Sequence, residues 1–501
     1  MFNSLIMKAR RWLYRVGILK GIQNLNQLKD VNISEEMYQQ IDVWKALYKG
    51  YYEPFHKLRY KTIDGWKTRK MDTLQMAKIV SSEMAGLVFN EKCEISISDQ
   101  SLSDFIDGVF KDNKFYKEFQ DYIEYMFAYG GAVIKPYVKD GKVMLSFVTA
   151  DCFIPISWHN DTITEGIFVA EYVKGDKTYT HLEWHLWEGS TYLIRNELYE
   201  SNGSELGVKV PLSTLFENLA EEVRIDGLKK SIFTYIKPNT ANNIDTQSPL
   251  GISIYANALD TMKALDTAFD SFNREFRLGK KRIIVPAHMV KTIVDPKSGN
   301  MVRYFDPTDE TYEAFNSGNM DKDEIKDISV ELRVEEHISA INALLNLFAM
   351  QTGFSAGTFS FDGKSVKTAT EVVSENSKTF KSKKSHEIII EEGIKEVIDS
   401  VVAVAQLYGL YNGPNEYEVS VAFDDSIVED QGAEINKQIQ LVSNGLTSKK
   451  RAIMKIHKMT EEEAEQLLQE IREEQQTATA EAIDFFGMNN NQGDDRNAKI
   501  S

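Results

Sequence analysis

Cysteine is nearly absent from this chain, with only Cys93 and Cys152 in 501 residues. Two thiols cannot build a disulfide framework or a cysteine-rich zinc module. Both lie in apolar, strand-like surroundings and read as small core residues. Long hydrophobic runs are missing as well. No stretch reaches the ~18 apolar residues that a membrane span needs. Lys8, Arg10, Arg11 and Arg15 make the N-terminus basic, but no continuous apolar segment follows, so a surface helix is expected there rather than a secretory signal. The chain is therefore expected to be soluble and made in a reducing cytoplasm, with no membrane partner. Basic charge is in deficit too, with 58 Lys and Arg against 75 Asp and Glu, a net charge of -17. A static grip on nucleic acid draws most of its affinity from phosphate neutralisation, so this balance argues against a DNA-binding regulator. It leaves open a wall along which DNA slides, because such a wall must not hold phosphates tightly.

What is present fits a folded protein. Hydrophobic residues at 42% and charged residues at 27% are globular values, and the length calls for two to four structural regions. Residues 34–53 and 72–89 carry helical periodicity, the second with Asp72 as expected N-cap and Gln75 three residues on. Phe115, Phe119, Tyr122 and Met126 share one helix face. Strand-like segments follow at Ala132–Val138, Lys142–Val148, Gly166–Lys174, Thr178–Trp187 and Thr191–Tyr199. Asp140-Gly141, Gly175-Asp176 and Gly189-Ser190 punctuate them as hairpin turns. This first half reads as an α+β body.

After Pro249-Leu250-Gly251 the texture changes. Residues 252–278 lack proline and internal glycine, and Leu259, Met262, Leu265, Phe269, Phe272 and Phe276 form an apolar stripe at helical spacing. A helix of that length spans ~40 Å. Short β-prone pieces follow at Arg282–Val285 and Met301–Phe305, with turn signals at Pro296, Gly299 and Pro307. Glu335 opens a second helix with Ile338, Ile341, Leu345 and Phe348 on one side. Two long helices bracketing a small β insertion predict an antiparallel pair with a compact head. Residues 353–367 are rich in Gly, Ser and Thr and read as a loop. Thr368…Glu371 is a capping box for a helix running to about Leu410. Gly413-Pro414 breaks that helix, Tyr417–Phe423 is a strand, and 430–476 is helical again, with a capping box at Thr460…Glu463. Residues 460–501 hold 11 acidic and 3 basic residues, and 487–501 are expected to form a disordered tail.

Several short matches invite an enzymatic reading and fail on context. Gly353-Phe354-Ser355-Ala356-Gly357 has the spacing of a nucleophile elbow, which needs a strand entering and a helix leaving. Here a helix enters and a loop leaves. Gly363-Lys364-Ser365 resembles the end of a P-loop, but the required glycine five residues earlier is Thr358, and Gly357 lies one position too far. His181 and His185 would share a metal on a helix. On the alternating strand Tyr179–Trp187 they stand ~13 Å apart. Asp424-Asp425 and Glu391-Glu392 are adjacent rather than convergent and read as solvated surface. No catalytic, metal or cofactor constellation survives.

The order of features resembles the portal proteins of long-tailed phages of Gram-positive bacteria, the headful-packaging class. The resemblance covers roughly residues 35–480. It is carried by Trp44-Lys-Ala-Leu-Tyr-Lys-Gly50, Met84-Ala-Gly-Leu-Val-Phe-Asn-Glu91, Pro249-Leu-Gly251, Phe272–Pro286, and Gly353–Phe361 followed by Lys367-Thr-Ala-Thr-Glu371. Their order and spacing together are specific.

The resemblance implies a helix-rich α+β portal fold: a wing over 1–250, a first stem helix over 251–279, a clip over 280–334 and a second stem helix over 335–352. A tunnel loop follows over 353–368, then a long wing helix and strand over 369–424 and a helical crown over 425–486. It further implies a non-enzymatic, cofactor-free subunit of a ring, a dodecamer, at the portal vertex of the virion. Double-stranded DNA would pass through it non-specifically during packaging and ejection. Its partners would be the terminase large subunit at the clip, head-completion or adaptor proteins later, and major capsid and scaffolding proteins. The competing expectation is another head-morphogenesis protein, a packaging enzyme or a head–tail adaptor. Within this picture Lys364 and Lys367 are expected to face DNA from the tunnel loop, making weak, exchangeable phosphate contacts. Asp260, Asp266 and Asp270, on the polar faces of the first stem helix, are expected to line the channel as a non-adhesive wall.

Overall fold

The computed structural model describes residues 34–62, 65–90, 92–202, 206–279, 283–284, 291–294, 299, 301–304, 326–327, 331–361, 377–414, 416–423, 431–457 and 464–471. By their internal contacts the residues fall into two units: residues 1–367 with 374–423, and residues 368–373 with 424–501. Of the sequence expectations, the N-terminal surface helix, both capping boxes (Thr368…Glu371 and Thr460…Glu463) and the acidic tail lie outside the described residues.

The first unit is built around a helical layer. Glu35–Tyr48 starts on Ser34, whose hydroxyl accepts from the Met37 amide, and buries Met37, Ile41, Trp44 and Leu47 on one face. Met76–Val88 and Phe115–Tyr129 pack against it, with Val80, Met84, Phe119 and Phe127 at their contacts in the shared core. The expected cap at Asp72 does not form. The helix begins at Met76, behind Gln75 at φ 55°, and Asp72 turns instead toward the later helix Leu259–Leu278: its amide donates to Asp270 and its carboxylate accepts from Asn273. A helix absent from the sequence reading, Gln100–Asp112, is capped by Asp99, which accepts from the Leu102 amide at 2.8 Å.

The sheets lie beside this layer. Phe153–His159, Thr162–Lys174, Lys177–Glu188 and Thr191–Ser201 run as an antiparallel meander, and Val208–Val210 and Glu222–Asp226 both pair with the last of them. Ala132–Lys139 and Lys142–Thr149 form a hairpin whose turn, Asp140-Gly141, has both residues at positive φ, as a two-residue turn of this type requires. Thr234–Ile236 adds a third strand to that hairpin. Val419–Ala422 pairs antiparallel with Glu94–Ile97, so the C-terminal strand of the unit closes on an early one. The 31-residue helix Ser377–Leu407 buries Ile390, Ile394, Val397, Ile398 and Val401 in the same core.

His386 on that helix is buried, its Nδ1 accepting from the Asn239 amide at 3.1 Å and its ring meeting the edge of Phe127. Burial pushes its pKa down to about 4. The folded state therefore keeps this ring neutral where the unfolded chain already takes a proton, near 6.5. Stability falls as pH drops from about 6.5 toward 4. Between pH 8 and pH 5 the wild-type protein should lose about 2 kcal/mol more unfolding free energy than His386→Gln. Urea titrations at the two pH values measure this, and equal losses would remove His386 as the cause.

In the second unit, Gln431–Ser443 and Lys449–His457 pack on each other, and residues 464–471 are helical. Gln438, Ala452 and Ala464 are buried, and Lys450 reaches Glu465 at 3.5 Å.

Candidate functional site: the helix pair and its flanking loop

The first long helix runs Leu259–Leu278 and the second Val334–Gln351. Glu275, near the end of the first, meets Arg333 and His337 at the start of the second, so the two run antiparallel. Met262 and Leu265 are buried with Ile341, Leu345 and Phe348, while Phe276, at the far end of the stripe, is exposed.

The first helix starts seven residues later than its glycine-free, proline-free sequence suggests. Residues 251–255 are spent differently. The Ile254 amide donates to the Phe127 carbonyl at 2.9 Å, the Ser253 hydroxyl donates to the same oxygen at 3.2 Å, and the Tyr255 hydroxyl donates to the Trp44 carbonyl. Those long-range bonds tie residues 253–255 to the body through a tight turn, closed by the Ala256 amide on the Ser253 carbonyl at 2.9 Å, and the α-helix begins only after it. Gly251 is required by the same docking, because a Cβ on it would lie 2.3 Å from the Gly130 carbonyl oxygen.

The residues between the helices begin and end side by side. A Cβ on Gly279 would lie 2.3 Å from Leu332, and Arg333 grips Glu275 through Nε at 3.1 Å and Nη2 at 3.0 Å. The hydrogen bonds from Arg333 hold the Glu275 carboxyl at a pKa of about 2. Between these ends lie two antiparallel ladders, Ile283–Ile284 with Lys326–Asp327 and Lys291–Val294 with Met301–Tyr304. Strands were expected at two of these four places.

The three aspartates of the first helix have different surroundings. Asp260 is exposed. Asp266 is buried, 3.0 Å from His56 Nε2, and accepts from the Leu74 amide at 2.9 Å. Asp270 is buried too, accepting both Nη atoms of Arg69, at 2.6 and 2.5 Å, and the Asp72 amide at 3.1 Å. Burial works to raise the Asp270 pKa, but the Arg69 fork and the Asp72 amide outweigh it and hold it below the ordinary value. The expectation that Asp266 and Asp270 line a channel is thus corrected. Helical spacing made them polar-face residues, but His56, Arg69 and the amides of Asp72 and Leu74 cover that face and consume both carboxylates.

The start of the loop after the second helix is strapped down. The Gly357 amide donates to Asn346 Oδ1 at 2.7 Å and the Phe361 amide to Asn342 Oδ1 at 2.8 Å, two side chains one helical turn apart. The Phe361 ring sits 5.4 Å from Phe272 and 6.1 Å from Phe269, and Phe354 is fully buried against Phe359. Ser355, centre of the nucleophile-like motif, is buried and shares hydrogen bonds with Thr379, so its surroundings are those of a packing residue. Lys364 and Lys367 lie outside the described residues. His181 and His185 take separate partners, Asn196 for the first and Tyr192 with Glu183 for the second. Among the described residues no group of side chains is placed to hold a metal, and no helix is long and apolar enough to cross a membrane.

The family profile "Phage portal protein, SPP1 Gp6-like" matches residues 28–477, most of the chain. The chain belongs to that family. It is a phage portal protein, and the family is structural rather than catalytic. No curated protein matches it. Among solved structures, it is similar to a chain in the neck of an empty GTA particle computed with C6 symmetry, at 12% identity and TM-score 0.35. It is also similar to one in the neck of a native GTA particle computed with C12 symmetry, at 11% identity and TM-score 0.37. Each likeness covers 76% of this chain and 88% of the other.

Proposed function

We propose that this portal protein assembles into a closed ring of twelve subunits at one capsid vertex, and that double-stranded DNA enters and leaves the head through it. The family match over residues 28–477 carries the reading. In this reading the antiparallel pair Leu259–Leu278 and Val334–Gln351 is the stem, and residues 280–334 are the clip that receives the terminase large subunit and, after packaging, head-completion or adaptor proteins. Residues 425–486 form the crown. Asp260, exposed on the first stem helix, faces the channel, and Lys364 and Lys367 touch passing phosphates. Capsid and scaffolding proteins surround the ring. Light scattering on the purified protein tests the assembly directly: a mass of about twelve subunits is expected, and a monomer at micromolar concentration would overturn it.

The clip assignment has its own test. Because Gly279 and Leu332 are neighbours and Glu275 grips Arg333, a short Gly/Ser linker can replace residues 280–331 without moving either helix. The replaced protein should unfold within a few degrees of wild type while losing terminase binding. Retained binding would place the docking surface elsewhere.

A further inference from the structure

One segment breaks the acidic character of the chain. Residues 57–70 hold six basic residues and a single acidic one, Asp64, in a protein of net charge -17. They fold as a two-stranded hairpin, Lys57–Thr62 against Gly65–Lys70. Alternate side chains share a face, and cross-strand partners do too. The register therefore sets Lys57, Arg59, Lys61, Trp66, Thr68 and Lys70 on one face, and all six are exposed. That face carries four cations and no carboxylate of its own. Lys57 stands directly opposite Lys70, an arrangement that costs stability in a sheet. Lys57 draws on Glu53 at the hairpin's foot, and the Lys70 amine lies 5.5 Å over the Tyr51 ring. The Arg59 guanidinium lies 4.6 Å over Trp66, a ring left 60% exposed. The other face holds Arg69, which fastens the hairpin to the first long helix through Asp270. A lone hairpin is marginal in water. This one is anchored on one side and presents an exposed row of cations on the other, with Lys57 drawn to Glu53 at its foot.

We propose that this face binds the sugar–phosphate backbone of double-stranded DNA without sequence preference. The cations of the first strand repeat every second residue, ~6.6–6.8 Å apart. A polymer carrying a charge every ~1.7 Å of its axis can neutralise such a row along its length. A second copy would have to set its carboxylates in matching register to do the same, whereas a duplex presents matching phosphates at every position along its length. Arg59 offers the planar fork suited to phosphate, and Trp66 supplies an N–H donor and an apolar edge against the sugars. The surrounding acidity confines the binding to low and moderate salt. The contact requires neither a ring nor a channel, so it stands apart from the assembly proposed above.

Fluorescence anisotropy of a labelled duplex of arbitrary sequence with the full chain, between 50 and 200 mM salt, is the test. Three phosphate contacts make the affinity fall about fortyfold over that range. The triple variant Arg59→Gln, Lys61→Gln, Lys70→Gln should bind at least tenfold more weakly at 50 mM, with a nearly flat salt response. The triple Lys111→Gln, Lys139→Gln, Lys229→Gln changes net charge equally on other elements and should bind as wild type. The charge-preserving pair Arg59→Lys, Lys61→Arg should retain binding, and the single change Arg59→Gln should lower the salt slope by about 0.9 even if the triple folds poorly. Equal losses in the two triple variants, or no binding by wild type at 50 mM, would overturn the proposal. So would unchanged DNA affinity in the hairpin variant together with a smaller assembly by light scattering, which would give the face to a second copy of the chain.

Discussion

Arg69→Ala should cost about 3 kcal/mol of stability. Asp270 is buried in the fold and takes two hydrogen bonds from that guanidinium. Removing the cation leaves a buried carboxylate with the Asp72 amide and the more distant charge of Arg274, and a poorly compensated buried charge costs far more than the pair contributes when intact. Asp270→Ala should be milder, because the Arg69 side chain keeps some access to water and can turn toward it. The double variant should be less destabilised than the sum of the singles, the coupling being the pair itself. Urea denaturation of the four proteins closes the cycle, and additive singles would show that the pair is idle. Because the low pKa of Asp270 is a property of the folded state, the contribution is present above about pH 4 and fades as pH falls through the depressed folded value. A lysine at position 270 would likewise report on the loss of this anchor, and one at 266 on the loss of the contacts with His56 and Leu74, and neither on a channel surface.

That anchor also marks where the sequence could and could not be read. The hairpins were legible because alternation, Asp140-Gly141 and Gly189-Ser190 are local signals, and the five strands expected there lie within a few residues of their places, whereas Phe153–His159, which opens the meander, was missed. The antiparallel helix pair was legible from spacing alone, through Met262, Leu265, Ile341, Leu345 and Phe348. The hairpin 57–70 was missed although Asp64-Gly65 stands between two alternating runs, because its alternation is of charge and aromatic residues rather than of buried and exposed ones. The helix Gln100–Asp112 was missed although Leu102, Ile106, Val109 and Phe110 follow helical spacing behind Asp99. Asp266 and Asp270 were read wrongly for another reason. A helical wheel shows which residues leave the apolar stripe. It cannot show that a segment two hundred residues earlier supplies Arg69, His56 and two amides to receive them. The packing of Phe359 on Phe354 and of Phe361 on the first long helix needed coordinates.

Gly251→Ala should be among the most damaging single methyls in the first unit, costing about 3 kcal/mol or more. The expectation rests on backbone, which cannot step aside as a side chain can. A Cβ at Gly251 would sit 2.3 Å from the Gly130 carbonyl oxygen and 2.7 Å from the Lys237 Cβ. Gly130 is constrained from the other side, at φ +85° with any Cβ 2.5 Å from the Gly251 carbonyl. Around this contact the Tyr235 hydroxyl accepts from the Gly251 amide and donates to the Gly130 carbonyl, and Ile254 and Ser253 bond to Phe127. Separating the two glycines by the ångström or so that a methyl demands would stretch all four bonds, which together attach the helix pair to the body. Gly130→Ala adds left-handed backbone strain to the same clash and should be at least as severe. Gly86→Ala, within the helix Met76–Val88 and with open space where its Cβ would go, is the matching control and should stabilise by roughly 0.5–1 kcal/mol. Thermal unfolding of the three variants reads the order directly. A Gly251→Ala protein as stable as wild type would mean that the close approach of the two backbones does not hold the helix pair in place.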